Sequence, residues 1–343
     1  MSPEPTVPST KVLVPTGMLG AGFTPESIDR GIDMGADVIA LDGGSTDSGP
    51  YYLGAATAKT TERAVAHDLR ILLIASRRAG IPLIVGTCGT SGTDTGVDWI
   101  AGIVAKILEE ESLTATVARI YSEQSPDVIA ARIASGRVHE LAPAEPLDED
   151  TLRRCEHVVG LLGHHPIVNA LEQGADVVLA GRATDTAVLA AFPLMRGCPP
   201  GPTWHAAKTA ECGGQCTVNP RTGGVIFEVD ATGFTIESLN PDSSCTPTSV
   251  AAHMLYENAD PFRMREPAGI LDTTDATYTP LDDRRVRVEG SRFEHITPFT
   301  MKLEGSAIAG YQTISLVGVR DPDVLAELDD WVADLKAFLE DGA

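Results

Sequence analysis

Short apolar runs alternate with longer amphipathic stretches through the first part of the chain. Residues 11–15 read as a buried strand, ending in the glycine-rich turn 16–22. Thr24 as N-cap, Pro25 at the first helical position and Glu26 then predict a helix that closes near Gly35. Residues 37–41 repeat the strand pattern. A long helix is expected over 60–79, with Val65, Leu69, Leu72 and Leu73 on one face and Gly80 past its end. Further strands are predicted at 82–85, 114–121 and 176–180, and further helices at 97–111, 126–135, 166–173 and 184–192. Such alternation implies right-handed crossovers and a Rossmann-like, mostly parallel sheet with helices on both faces.

The texture changes after about Pro199. Glycine turns and β-branched residues become frequent, at 223–227, 284–288 and 312–319. One helix is expected at 247–257 and an acidic one at 322–339. The fold class is therefore α/β, with a smaller α+β part that carries antiparallel strands. The expected organisation is a disordered tail at 1–10, a Rossmann-like domain at 11–198 and an α+β domain at 199–343.

In parallel sheets ligands bind beyond the carboxyl ends of the strands, so the loops there are the candidate sites. Thr16, Gly17, Gly20 and Gly22 come near a dinucleotide fingerprint without completing it. Their shared physics is anion binding by backbone amides at a helix start. Asp42-Gly43-Gly44-Ser45-Thr46-Asp47 offers two carboxylates, Asp42 and Asp47, as general bases or cation ligands. Equally, they cap the next segment and bind loop amides. Cys88-Gly89-Thr90-Ser91 precedes a helix start, which would activate Cys88 as a nucleophile; a small buried thiol fits as well. Arg182 is a bidentate clamp for a carboxylate or phosphate, or the ion-pair partner of one of the loop aspartates; Asp185 beside it joins the binding loop or, with Thr184, caps the next helix. Three Thr-Asp pairs, Thr46-Asp47, Thr93-Asp94 and Thr184-Asp185, fall at one predicted sheet edge and would suit a hard divalent cation.

Later in the chain, Glu211-Cys212-Gly213-Gly214-Gln215-Cys216 sets an acid and two thiols among glycines. Glu211 or Cys212 would serve as acid, base or nucleophile. A structural zinc on Cys212, Cys216 and His205 lacks the second ligand pair of a finger. His253, Tyr256 and Glu257 share a helical face and form an acid/base candidate centred on His253. His164-His165 before Pro166 reads as a helix cap.

A net charge of -22 argues against nucleic acid and anionic membranes as partners. No apolar run approaches the roughly 18 residues of a membrane span. The polar start has no signal-peptide pattern, so a cytoplasmic location is expected, and six scattered cysteines fit reduced thiols rather than a disulfide framework.

Together the loops at 17–23, 40–50, 86–94, 174–187, 211–215 and 245–261 resemble the acyclic terpene utilisation AtuA-like proteins. The resemblance spans nearly the whole chain. It implies a catabolic protein of acyl-CoA and branched-acid pathways, with CoA entering as part of a substrate. The expected activity is a hydratase or dehydratase-type lyase on a carboxylate or acyl-CoA. A metal-assisted enzyme and a non-catalytic binding or assembly subunit stand as alternatives. Members are often longer, so the expectation is that a further C-terminal part is either absent or supplied by a small companion subunit, with the chain in a homo- or hetero-oligomer.

Overall fold

The apolar runs become the parallel centre of one mixed sheet. The computed structural model describes residues 9–144, 147–220, 223–256 and 258–341. Strands β1 to β7 are Thr10–Val14, Val38–Asp42, Leu83–Gly86, Val117–Ile120, Cys155–Gly160, Val177–Ala180 and Val225–Val229. Strands β8 to β14 are Gly233–Ser238, Arg263–Glu266, Gly269–Asp272, Thr277–Pro280, Arg285–Glu289, Arg292–His295 and Leu303–Ala307. The main sheet runs β11-β12-β8-β7-β1-β2-β3-β6-β4. Its half from β1 to β4 is parallel, and the half from β7 to β11 is antiparallel. The strands that follow residue 199 thus extend the same sheet, because β7 pairs antiparallel with β1. Two small antiparallel sheets, β13-β10-β9 and β14-β5, complete the strands.

Burial on both faces explains why the parallel strands are apolar without alternation. Every residue of β2, β3 and β6 is buried. Helices Pro25–Asp33, Glu62–Ala79 and Asp94–Glu110 cover one face through Ile28, Leu69, Leu72, Ile100 and Val104. Helices His165–Glu172, Asp185–Met195 and Pro200–Ala210 cover the other through Ile167, Ala187, Val188, Trp204 and Ala207. Threonine caps set the helix starts: Thr24, Thr61, Thr93 and Thr184 each accept an N–H from three residues on. The Thr93 cap explains why the helix expected from 97 begins at Asp94.

Several expectations need correction. Pro200–Ala210 is a helix where few were expected; it is buried on nearly every side, so it shows no apolar stripe. Strand β5 was not anticipated, and its polar residues Glu156 and His157 hide it. The β-branched run 312–319 forms no strand. Residues 309–343 are a second compact unit whose regular elements are the helices Pro322–Ala326 and Leu328–Asp341, so the run has no strand partner there. The helix expected to reach 257 is Pro247–His253, and Glu257 lies outside the described residues, as does most of the expected tail 1–10. No helix among the described residues is long and apolar enough to cross a membrane.

Candidate functional site

The loops leaving β1, β2, β3 and β6 meet beyond the carboxyl edge of the sheet, backbone against backbone. A Cβ on Gly92 (φ +68°) would sit 2.0 Å from the Arg182 amide nitrogen. A Cβ on Gly213 (φ +60°) would lie 2.7 Å from the Gly17 nitrogen, which locks the segment after Cys212 onto the first loop. These contacts need glycine and join the chain segments in two pairs, 92 with 182 and 213 with 17.

Asp42 ends β2 and is 4% exposed. Its Oδ2 accepts the Gly44 N–H at 3.0 Å, while Oδ1 is buried without a hydrogen-bond partner. Burial, and then the nearby Asp185 charge, push its carboxyl well above the usual carboxylate range; Arg182 opposes the shift. Arg182 is 4% exposed, and its donors are already engaged. Nε donates to Glu304 at 2.9 Å, Nη1 to the Ala183 carbonyl at 2.9 Å and Nη2 to Thr46 at 3.3 Å. Nη1 also lies 3.5 Å from Asp185. Arg182 is thus a fixed positive charge rather than an open clamp. Thr46 donates to Glu304 at 2.8 Å, so β14 closes this corner.

Asp185, in the first turn of its helix, is the hub. Its charge also bears on Lys208, Glu211 and Glu266. Lys208 and Glu211 end the helix Pro200–Ala210 and form a nearly buried ion pair at 2.5 Å. Burial, opposed by Lys208 and aided by Asp185, raises the Glu211 carboxyl to about 8. Glu266 on β9 accepts the Thr186 hydroxyl at 2.8 Å, and burial raises its carboxyl to about 7. His253 is 6% exposed; burial and then the Lys208 charge lower its imidazole to about 4. Its Nε2 has no hydrogen-bond partner, and its ring stacks on Tyr256 at 5.8 Å between centroids. One ligand-type atom each from Glu211, Cys212 and His253 lies within 4.8 Å of the others.

Of the residues singled out in the sequence, Asp42, Arg182, Asp185, Glu211, Cys212 and His253 belong to this cluster, with Thr46, Gly17 and Gly213 in its walls. Others are spent elsewhere. Asp47 is exposed and bound by Ser45 at 2.7 Å. The amides of Gly20 and Gly22 donate to Asp68 at 2.8 and 3.1 Å. The Gly43 amide donates to the Gly86 carbonyl at 2.7 Å. Thr90 accepts the Lys59 N–H at 2.9 Å, Ser91 donates to the Tyr52 carbonyl at 3.2 Å, and Gly89 packs its backbone against Gly96. Cys88 is fully buried, and burial drives its thiol far up. Thr16 is buried, Gly214 accepts the Thr217 hydroxyl at 2.7 Å, and Gln215 is exposed. His205 is held by Ser291 at 2.6 Å and Tyr278 at 3.2 Å, away from a zinc role with the cysteines. His164 makes no capping bond. Among the described residues, Asp47, Asp94 and Asp185 do not gather as a metal-ligand group. Lys208, Glu266 and Glu304 were not anticipated, because nothing local in the sequence tells that a charge on a concealed helix or a distant strand will be buried.

Two clefts, of about 320 and about 500 Å³, are lined by other residues. The smaller is walled by Thr57, Thr60, Gly89, Thr95, Gly96 and Trp99, with no acid, base or nucleophile among them. The raised carboxyls and their paired cations gather outside these two clefts. The profile of a family described as acyclic terpene utilisation family protein AtuA matches residues 52–197 and 201–342. No curated protein and no solved structure gives a match.

Proposed function

The chain belongs to the acyclic terpene utilisation family AtuA, and from that premise we propose a hydratase or dehydratase-type lyase acting on a small carboxylate or acyl-CoA intermediate. One observation supports the reading: Asp42, Glu211, Glu266 and Asp185 converge with the two cations Arg182 and Lys208 in a largely dry site. Adding or removing water next to a carbonyl needs one group to move the α-proton and another to handle the departing oxygen. Carboxyls raised by burial exchange protons near neutral pH, which is where such groups work best.

In this reading Asp42 takes the α-proton, and Glu266, its carboxyl raised to about 7, gives the proton with which the departing hydroxyl leaves as water. Lys208, whose ammonium carries three donors, anchors the substrate's carboxylate or carbonyl oxygen. Arg182 contributes a fixed field that stabilises negative charge on that oxygen. A positioned acid or base is worth about 100- to 10,000-fold in rate. The test is deuterium incorporation in D₂O with a panel of hydroxy acids and 3-hydroxyacyl thioesters, read by mass spectrometry. Exchange next to a carbonyl, abolished in Asp42→Asn, is expected. A folded Asp42→Asn variant that exchanges at the original rate would remove Asp42 from the role, and silence across the panel would sink the lyase.

A second reading, an assembly or binding subunit in a cytoplasmic oligomer with itself or a small companion chain, is favoured by the second unit. Ile314, Leu316 and Phe338 there are 84%, 100% and 74% exposed, and apolar surface of that kind marks interaction sites. Co-purification with a small chain, without exchange activity in the complex, is its expected signature.

A further inference from the structure

We infer that Glu211, Cys212 and His253 form a three-ligand site for a zinc-type transition-metal ion. Glu211 and Cys212 follow directly on the helix Pro200–Ala210. His253 closes the helix Pro247–His253, whose start is fixed by a reciprocal Thr246–Ser249 capping box. These two separate elements bring a carboxylate oxygen, a thiol sulfur and an imidazole nitrogen within 4.8 Å of one another. Tetrahedral ligands at zinc-type bond lengths stand about 3.5 Å apart, so small side-chain rotations close the set.

A second observation points the same way. His253 is 6% exposed, and its buried Nε2 has no hydrogen-bond partner. A buried polar atom left unpaired is costly, and native structures keep few of them without a reason. The Lys208 ammonium binds Oε1 of Glu211, which leaves the second carboxylate oxygen for a cation. Lys208 then orients the ligand from outside, as outer hydrogen bonds commonly do at metal centres.

The donor set selects the ion. Thiolate with imidazole suits Zn²⁺, Co²⁺ or Fe²⁺, whereas Mg²⁺ and Ca²⁺ take oxygen ligands. Three protein ligands leave one position open to water or substrate, which is how catalytic zinc sites differ from structural ones. The inference deepens the proposed lyase, which it needs for the metal's use but not for its binding.

The test uses the full chain, stripped with a chelator and titrated with Co²⁺. Binding of one ion per chain with a thiolate-to-cobalt charge-transfer band is expected. Cys212→Ser should lose the band. His253→Gln should weaken binding at least 10-fold. Cys155→Ser, a half-buried thiol outside the site, should keep both, with folding of all variants checked by circular dichroism. A folded wild-type chain that binds no cobalt, or a band that survives in Cys212→Ser, overturns the site. Cobalt binding without deuterium exchange would keep the site and reject the lyase; exchange by a chain that binds no cobalt would do the reverse.

Discussion

Glu266 and Cys88 show how burial decides what a side chain can do. The Glu266 carboxyl is raised from 4.5 to about 7, so the folded state holds its proton more tightly than the unfolded chain does. Stability from this group is fully present below about pH 4.5 and is lost as pH rises to about 7. The loss is on the order of 3 kcal/mol, at 1.36 kcal/mol per pH unit. Glu266→Gln keeps an acceptor for Thr186 and removes the titration. Urea unfolding at pH 5 and pH 8 should show the wild type weakening relative to the variant; parallel pH responses would refute this. Cys88 was a candidate nucleophile on its position before a helix, yet its thiol is sealed and pushed up first by burial and then by the Asp42 charge. Peptide mapping after iodoacetamide at pH 8 should find Cys88 unlabelled in the native chain and labelled in urea. Native labelling of Cys88 would contradict its burial.

At the scale of elements, what could be read in advance had a local cause. Thr24 and Thr184 were visible as helix starts because capping is a matter of a few neighbouring residues, whereas the Thr93 cap reads as part of a loop, with its helix starting only at 97. The strands β1, β2, β3 and β6 were visible as apolar runs. The helix Pro200–Ala210 was not, since a helix buried all round has no stripe, and its Pro-Gly-Pro start reads as a turn. It carries Lys208 and leads into Glu211, so half the site was placed by an element that the pattern concealed. Glu304 and Glu266 arrive on β14 and β9, whose pairings are long-range and leave no periodic trace. The β7–β8 turn offers a check on such non-local contacts. Asp230 there accepts two bonds from Arg287 of β12, at 2.6 and 2.8 Å, and this pairing lowers its carboxyl to about 2. The pair therefore stabilises above about pH 4 and is lost as pH falls through about 2. Because Asp230 is 39% exposed, Arg287→Ala should cost only about 1 kcal/mol at pH 7. The difference from wild type should vanish near pH 2 in chemical unfolding; a gap that persists there would assign Arg287 a packing role instead.

At the scale of the whole molecule, the division into residues 1–308 and 309–343 sets where the chain can be cut. Strand β14 lies just inside the first unit, where it pairs with β5 and carries Glu304 to Arg182. The two side chains are 15% and 5% exposed, so their charges are largely out of water. A guanidinium in that position left without its carboxylate costs about 3–5 kcal/mol. Asp185 at 3.5 Å offers only partial compensation. A chain ending at residue 308 should therefore unfold cooperatively and keep the first unit's stability. One ending at 300 loses β14 and Glu304 together and should be less stable by at least that amount. Glu304→Gln in the full chain separates the causes: it keeps the strand and removes the charge, and should reproduce most of the loss. Equal stability of the two truncated chains in denaturant titration would mean that Arg182 finds its counter-charge within the Asp42–Asp185 cluster itself. The carboxylates of the site would then be doing structural duty, and a variant lacking Asp185 would become the more informative one to unfold.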